Sequence, residues 1–190
     1  MKEYQIIYAD PPWTYRVWSA NGSKRSASQH YSTMSKEELQ QIPIQKLSAN
    51  NSVLLIWITA PCLEQGLELI KKWGFIYKTI GFTWIKKNRK SNGLFWGMGH
   101  YTRSNAELCL LATKGKPLKR ASRAVHQVVE SPIREHSRKP DEVRSRITKL
   151  FGDLSRIELF ARHKADGWDS IGKDIDGEDI NAAIAKLCKN

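Results

Sequence analysis

The sequence predicts an α/β domain with a central, mostly parallel sheet and helices on both of its faces. Short apolar runs alternate with amphipathic stretches that carry helix start and stop signals, the pattern of such sheets. The 190 residues suit one domain with its own core. The content of 41% hydrophobic and 26% charged residues is ordinary for a globular protein. We therefore predict a single domain over residues 1–190.

The first third of the chain gives clear local signals. An apolar run predicts a strand over 4–9. Residues 14–33 are polar, and a loop of that length inside a compact domain is usually functional or disordered. A Ser-Lys-Glu-Glu capping box at 35–38 predicts a short helix to about residue 41. The β-branched run 52–59 is typical of a buried central strand.

The remaining elements follow from the same signals. Pro61 suits the first turn of a helix that runs to Trp73, and Gly74 closes it. Further strands are predicted at 75–85 (as one strand or two), 106–112, 125–129 and 155–161. Further helices are predicted at 140–151 and 179–187, the second within a C-terminal segment 175–190. Basic loops are predicted at 86–104 and 118–124. If these basic residues share one face with Lys24 and Arg25 and with Lys114 and Lys116, they form a track for the phosphates of a nucleic acid.

The charge balance points to a polyanionic partner. The chain has 31 Lys and Arg against 19 Asp and Glu, a net charge of +12, and a pI near 9.7. Nucleic acid is the first candidate for such a surface, and a basic surface that only maintains solubility is the alternative.

The number and spacing of the cysteines and histidines indicate the redox state of the compartment and whether a metal site is expected. Three widely spaced cysteines without C-x-x-C spacing argue against a disulfide framework or a zinc site and favour a reducing compartment. The scattered histidines lack metal-like spacing, so we expect no metal site. The N-terminus does not resemble a signal peptide, and the longest apolar run, 53–60, is too short to span a bilayer. We therefore expect a cytoplasmic protein without membrane attachment.

The segment Asp10-Pro11-Pro12-Trp13 follows the first predicted strand and carries the most chemistry. Asp10 can accept a hydrogen bond from an exocyclic amine. Prolines have a fixed φ and no N–H, and we expect their carbonyls to be free to accept as well. Trp13 offers a face for stacking a base, worth roughly 1–3 kcal/mol. The alternative is a proline-stiffened turn with Trp13 in the core.

Four further segments complete the pattern: His30–Ser35, Gly99–Glu107, His136–Glu142, and Arg156–Arg162 with Gly167–Gly172. Together with the Asp-Pro-Pro-Trp tetrad, they resemble the adenine N6-methyltransferase family typified by the seventy-kilodalton catalytic subunit of the eukaryotic mRNA adenosine methyltransferase. The resemblance covers roughly residues 4–174. It implies a Rossmann-like methyltransferase fold and S-adenosylmethionine as cofactor.

The resemblance also implies roles for residues. The tetrad Asp10, Pro11, Pro12 and Trp13 would hold the target adenine and be catalytic. The implied cofactor-binding residues are Asp10, Lys139, Arg162, His163, Lys164, Lys173 and Asp174. Lys139 would meet the methionine carboxylate, and Asp174 can accept a hydrogen bond from a ribose diol whereas Lys173 cannot. The expected substrate-binding residues are Tyr31, Arg103 and Glu107, with Lys86, Lys87 and Arg89 from the basic loop.

These observations favour a site-specific DNA adenine N6-methyltransferase. RNA is the nearest alternative substrate, and the lack of appended zinc-finger or RNA-binding segments favours DNA. A catalytically silent nucleic-acid-binding partner subunit is a second alternative, against which the intact tetrad and Lys139 speak. Transfer to cytosine N4 or to a protein amide uses similar motifs and is a third. A homodimer or a partner subunit would supply a recognition element that the chain does not obviously contain.

Overall fold

A computed structural model describes residues 2–14, 33–135 and 137–189. Within these residues the strands are β1 Tyr4–Ala9, β2 Ser48–Ile58, β3 Ile76–Lys87, β4 Glu107–Lys114, β5 Val128–Pro132, β6 Arg156–Leu159 and β7 Asp169–Ile171. The α-helices in the same residues are α1 Lys36–Gln41, α2 Leu63–Lys72, α3 Glu142–Phe151, α4 Lys173–Asp176 and α5 Ile180–Lys189. Single 3₁₀ turns cover Ile44–Lys46 and Ala60–Cys62.

The described strands form one sheet in the order β5-β3-β4-β2-β1-β6-β7. β4 runs antiparallel to both of its neighbours, β2 and β3. The other pairings are parallel, so every described strand except β4 points the same way. This confirms the predicted mostly parallel α/β sheet.

The topology brings several strand ends to one edge of the sheet, which we call the carboxyl edge. β1, β2, β3, β5 and β6 end there, and the antiparallel β4 begins there. The chain passes from β1 to β2 on one side and later places β6 on the other side of β1. The direction in which strands are added to the sheet therefore reverses at β1. In open α/β sheets, ligands bind in the crevice at such a reversal.

Both faces of the sheet are covered, as the alternation of β1 requires. Ile7 and Ala9 face a core that includes residues of α1, α2 and α5. Ile6 and Tyr8 face the opposite core, which includes residues of α3. Helices therefore lie on both faces, and β1 is buried between them.

The observed bounds of several elements differ from the predicted ones. The capping box is confirmed, since Ser35 Oγ accepts from Glu38 N at 3.2 Å and Glu38 Oε2 accepts from Ser35 N at 2.7 Å. The strand predicted at 75–85 is one strand and continues through Lys87, so Lys86 and Lys87 are strand residues and the predicted loop start at 86 is wrong. β7, with three residues, was too short to show a pattern.

Gly115 and Gly177 provide a matched test of the turn after β4. Their φ angles are +65° and +69°, a region that costs a residue with a Cβ roughly 1–2 kcal/mol. A Cβ at Gly115 would lie 2.1 Å from the Asn50 carbonyl oxygen, whereas among the described residues nothing lies within 4 Å of one at Gly177. We expect Gly177→Ala to lower the free energy of unfolding by about 1 kcal/mol. Gly115→Ala should lower it by about 3 kcal/mol, because overpacking adds to the φ cost.

Urea denaturation of the two variants measures this difference. Equal losses of unfolding free energy would show that the Asn50 contact does not restrict the turn.

Candidate active site

Asp10 follows β1 directly and lies at the carboxyl edge. Its backbone N–H donates to the Leu159 carbonyl at 3.5 Å, so the neighbouring strand β6 fixes its position. Its Oδ2 accepts from Lys139 Nζ at 2.9 Å. The sequence prediction that a carboxylate is delivered by the end of this strand is confirmed in position.

The proline carbonyls do not match the prediction. Pro11 O accepts from Trp13 N at 2.9 Å, and Pro12 O accepts from Met34 N at 2.9 Å. The expectation that both are free is therefore wrong, because Trp13 and Met34 form a parallel bridge here and their backbone N–H groups use these carbonyls. A carbonyl has two lone pairs, so Pro11 O, which lines the cavity described below, can still accept a second hydrogen bond.

Trp13 lies largely in the core. It is 4% exposed, and its indole N–H donates to the Trp57 carbonyl at 2.9 Å. This is the core arrangement that the sequence left open. Trp13 also contributes to the cavity wall, so contact with a ligand is possible without an open stacking face.

Four charges of alternating sign lie together at the carboxyl edge, and we call them the charge quartet: Asp10, Lys139, Glu107 and Lys86. Lys139 Nζ lies 2.9 Å from Asp10 Oδ2 and 3.3 Å from Glu107 Oε2. Lys86 Nζ lies 2.5 Å from Glu107 Oε1. Glu107 reaches this place because antiparallel β4 begins where the parallel strands end.

Lys139 is the centre of the quartet. Its side chain is 8% exposed, whereas that of Asp10 is 24% exposed. Its Nζ also donates to the Ser137 carbonyl at 3.1 Å and lies 5.7 Å from the centre of the Trp57 ring. Burial makes these contacts stronger than they would be on the surface.

The quartet sets the protonation of its carboxyls. Burial raises the pKa of Asp10, and the positive charges of Lys139 and Arg162 act in the opposite direction. Burial also acts to raise the pKa of Glu107, but the attraction of Lys139 and Lys86 outweighs it and holds that pKa below the ordinary value. Glu107 is therefore ionised at neutral pH.

One acceptor in the quartet lacks a donor. Glu107 Oε2 is buried and accepts no hydrogen bond among the described residues, although Lys139 Nζ makes an ionic contact with it. The attraction of Lys139 and Lys86 offsets the cost of leaving this buried oxygen without a hydrogen bond.

The charge quartet opens into a cavity of about 510 Å³, a size typical of small-molecule sites. Its lining comes from the ends of β1, β2, β3 and β5 and from the start of β4. The lining residues are Asp10, Pro11, Trp13, Trp57, Ile58, Thr59, Trp84, Lys86, Arg89, Phe95, Glu107, Ile133, Arg134, Glu135, Ser137 and Lys139.

The structure brings part of the predicted site together. Of the predicted residues, the cavity holds Asp10, Pro11, Trp13, Lys86, Arg89, Glu107 and Lys139. The rest do not line it: Pro12, Lys87, Arg103, Arg162, His163, Lys164, Lys173 and Asp174. Tyr31 lies outside the described residues.

The predicted residues outside the cavity have other surroundings. Lys87 pairs with Glu130 at 2.7 Å, and Arg103 donates to the Gly97 carbonyl at 3.0 Å. His163 and Lys164 line a neighbouring recess beside α3. Arg162 is close enough to lower the pKa of Asp10, although burial is the larger effect there.

Sequence reasoning missed Phe95 and the segment Ile133–Ser137, all of which line the cavity except for the undescribed His136. Phe95 stands in a loop whose fold no local pattern reveals. Ser137 has φ +61°, a strained conformation for a residue with a side chain, and such strain clusters at functional sites. The feature of the sequence that could have identified Ser137 is its position two residues before Lys139.

A second set of ion pairs supports the site from α3. Arg144 binds the buried Glu158 of β6 at 2.6 and 3.0 Å, as expected from a carboxylate inside the sheet. Asp141 contacts Arg144 at 2.7 Å and Arg138 at 3.2 Å. These arginines and Arg134 outweigh the effect of burial and lower the pKa of Asp141 to about 2.

The basic segments do not all share the carboxyl edge. Lys114 ends β4 and donates to Ser48 Oγ at 2.7 Å, at the opposite edge. Since β5 begins at that edge too, the connection 115–127 starts and ends away from the site. A continuous phosphate track through Lys116, Lys119, Arg120 and Arg123 is therefore not supported. Lys24 and Arg25 lie outside the described residues.

The site fits a ligand with both an amine and a carboxylate. Asp10 and the Pro11 carbonyl offer acceptors to a cation or an amine, while Lys139 offers a positive charge to a carboxylate. The arrangement lies at the topological switch of the sheet, and nonpolar walls from Trp57, Trp84 and Phe95 suit a flat ring.

Comparison with known proteins gives a consistent result. The profile of the MT-A70 family matches residues 4–174. A type II methyltransferase of a Mycoplasma species, M.MunI, is 40% identical, and the aligned region covers 92% of this chain and 78% of that protein.

Two eukaryotic relatives are longer. An N(6)-adenosine-methyltransferase MT-A70-like protein of Arabidopsis thaliana is 30% identical over 92% of this chain and 24% of its own length. The human N(6)-adenosine-methyltransferase catalytic subunit METTL3 is 28% identical over 92% of this chain and 29% of its own length. The chain therefore spans less than a third of these two proteins. Among the described helices, none is long and apolar enough to cross a membrane.

Removing the central cation of the quartet tests its energetics. We expect Lys139→Met to lower the free energy of unfolding by about 3 kcal/mol at neutral pH, because two partly buried carboxylates lose their shared cation. The loss should shrink as the pH falls and the carboxyls become protonated, since neutral carboxyls need no cation.

Lys87→Met is the matched control, because the side chains of Lys87 and its partner Glu130 are 29% and 54% exposed. Exposed pairs contribute about 0–1 kcal/mol. Urea denaturation across pH measures both variants, and a loss for Lys139→Met that does not depend on pH would contradict the ionic role.

Proposed function

Since the chain belongs to the MT-A70 family, we propose that it transfers a methyl group from S-adenosylmethionine to N6 of adenine in DNA. MT-A70 methyltransferases are in general dependent on this cofactor, and the chain is an enzyme of that class. DNA is favoured over RNA because M.MunI is a type II methyltransferase and the aligned region covers 78% of its length. A cytoplasmic location would be consistent with this activity.

One observation carries the proposal. The carboxylate of Asp10 and the carbonyl of Pro11, both from the Asp-Pro-Pro-Trp tetrad, line the same cavity. An exocyclic amine has two N–H groups and can satisfy both acceptors. A hydroxyl or a carbonyl substrate could not.

Cofactor binding would use the charges of the same edge. Lys139 would contact the methionine carboxylate, and Asp10 would contact the methionine ammonium or the reacting amine. Arg162, His163, Lys164, Lys173 and Asp174 would lie toward the ribose and the tail. When bound, the cofactor supplies an electrophilic methyl group on a sulfonium.

The chain's own residues would activate the amine without deprotonating it beforehand. The N6 lone pair is delocalised into the purine ring, and Asp10 is far too weak a base to remove a proton from the neutral amine. Hydrogen bonds from N6–H to Asp10 and to the Pro11 carbonyl would instead favour a pyramidal nitrogen and stabilise its developing positive charge. Once methylated, the nitrogen is cationic and acidic, and it would release its extra proton to Asp10 or to water. Each hydrogen bond to a charged acceptor contributes about 1.5–3 kcal/mol.

The adenine ring would lie against the nonpolar wall of the cavity. Phe95 is a better stacking candidate than Trp13, because Phe95 is partly exposed whereas Trp13 is 4% exposed. Trp13 would then shape the pocket from behind. Tyr31 keeps the role that the resemblance implies, near the methyl-transfer position.

The direct test is the identity of the modified nucleoside. The protein is incubated with labelled S-adenosylmethionine and, separately, duplex DNA, single-stranded DNA and RNA, and the digested nucleosides are identified by mass spectrometry. The proposal expects N6-methyladenine in DNA. N4-methylcytosine would overturn it, and label in RNA alone would favour the RNA substrate that the names of the eukaryotic relatives suggest.

Asp10 should be indispensable for turnover. Asp10→Ala removes the acceptor at the reacting amine, and we expect kcat to fall by at least about 10³-fold, the loss typical of a key electrostatic group. Asp153→Ala is the control, because that side chain is 94% exposed and pairs only locally with Arg156. Single-turnover methylation measures both variants, and a wild-type rate for Asp10→Ala would remove Asp10 from the mechanism.

The loop after β3 should contribute to nucleic-acid affinity. Arg89 and Lys90 are exposed at the carboxyl edge, so changing both to Gln should reduce the slope of log Kd against log salt by about 1–2. The matched control changes Lys119 and Arg120, in the connection that starts and ends at the opposite edge. Fluorescence anisotropy over a salt series provides the slopes, and equal effects of the two double variants would argue against a directed binding face.

A further inference from the structure

The connection between β3 and β4 exposes a group of large nonpolar side chains. Trp96, Met98 and Tyr101 are 52%, 81% and 96% exposed, and we call these three residues the aromatic tip. The same connection contributes Phe95 and Arg89 to the wall of the cavity. The aromatic tip therefore stands on the segment that borders the proposed active site.

The base of this connection is fixed by one side chain. Asn105 Oδ1 accepts from Lys86 N at 3.0 Å, and Asn105 Nδ2 donates to the Lys86 carbonyl at 2.8 Å. Asn105 Nδ2 also donates to the Phe95 carbonyl at 2.5 Å. The chain is thus held at the cavity wall on both sides of the tip.

The tip itself is also held in shape. Arg103 Nε donates to the Gly97 carbonyl at 3.0 Å, and its Nη2 donates to the Trp96 carbonyl at 3.1 Å. A Cβ at Gly99 would lie 1.9 Å from the Thr102 carbonyl oxygen, so this close turn requires glycine. These contacts fix the backbone of the tip and leave its nonpolar side chains exposed. A backbone that is already ordered reduces the entropy that the tip loses when it binds a partner.

The charge of the connection indicates the chemistry of that partner. Residues 88–105 include Arg89, Lys90 and Arg103 and contain no Asp or Glu. A basic segment with aromatic side chains matches a polyanion whose interior is a stack of flat rings. Nucleic acid has that composition, and a nonpolar side chain can reach its interior only between bases.

We propose that the aromatic tip is a wedge that enters the base stack of duplex DNA and occupies the space left by the adenine in the cavity. The inference rests on the proposed function and adds how a duplex substrate is opened. An amine inside a duplex cannot reach Asp10, so the base must leave its stack. A nonpolar side chain in the vacated space stabilises the opened duplex against closing.

The test uses DNA in which the space already exists. Fluorescence anisotropy compares binding of the protein to an intact duplex and to the same duplex with one abasic site. For the wild type we expect at least tenfold tighter binding to the abasic duplex. The variant with Trp96→Ala, Met98→Ala and Tyr101→Ala should lose this preference, whereas Tyr101→Trp should keep it.

Tyr77→Ala is the matched control, because this tyrosine is 41% exposed near the other end of β3. It should leave the preference unchanged. An equal affinity of the wild type for both duplexes, or a preference that survives the triple variant, would overturn the wedge. So would a native mass that falls from dimer to monomer in that variant, because the tip would then be a contact between two copies of the chain.

These outcomes are separable from a failure of the proposed function. An abasic preference without methyl transfer to any adenine would refute the activity and leave the wedge standing. Methyl transfer to duplex DNA without an abasic preference would refute the wedge and leave the activity standing.

Discussion

The ionic contact between Lys139 and Asp10 is the interaction on which the rest of the site depends. It joins residues that are 129 positions apart in the chain, at 2.9 Å, and so fixes the segment after β5 against the end of β1. Because Lys139 is nearly buried, its charge must be balanced locally, and Asp10 and Glu107 balance it from two different strands. These contacts hold the end of β1, the start of β4 and the segment after β5 around one cavity.

The antiparallel strand β4 makes this possible. A parallel β4 would send its first residue to the opposite edge and remove Glu107 from the site. Its reversed direction also sends the basic connection 115–127 to that opposite edge. One feature of topology therefore both assembles the charge quartet and separates one basic segment from it.

Sequence patterns predicted those features of the arrangement that depend on residues close together in the chain. The run before Asp10 predicted β1 with its observed bounds, and the family resemblance of the motifs around Glu107 and Lys139 implied that both residues belong to the site, where both line the cavity. The partner of each charge was not predictable, because ion pairs between distant segments leave no local pattern. The burial of Trp13 and the position of Phe95 depend in the same way on packing between elements. The proposed roles of the site residues remain predictions.

The central claim is that Asp10 stands as an ionised acceptor at the cavity, held there by Lys139. The most direct measurement is a ¹³C NMR titration of the Asp10 side-chain carboxyl, assigned by its loss in Asp10→Asn. We expect the signal of a carboxylate at neutral pH, with a pKa above that of an ordinary aspartate, because burial raises the pKa of Asp10 and Lys139 only partly opposes it. A carboxyl that is still protonated at neutral pH would contradict the account.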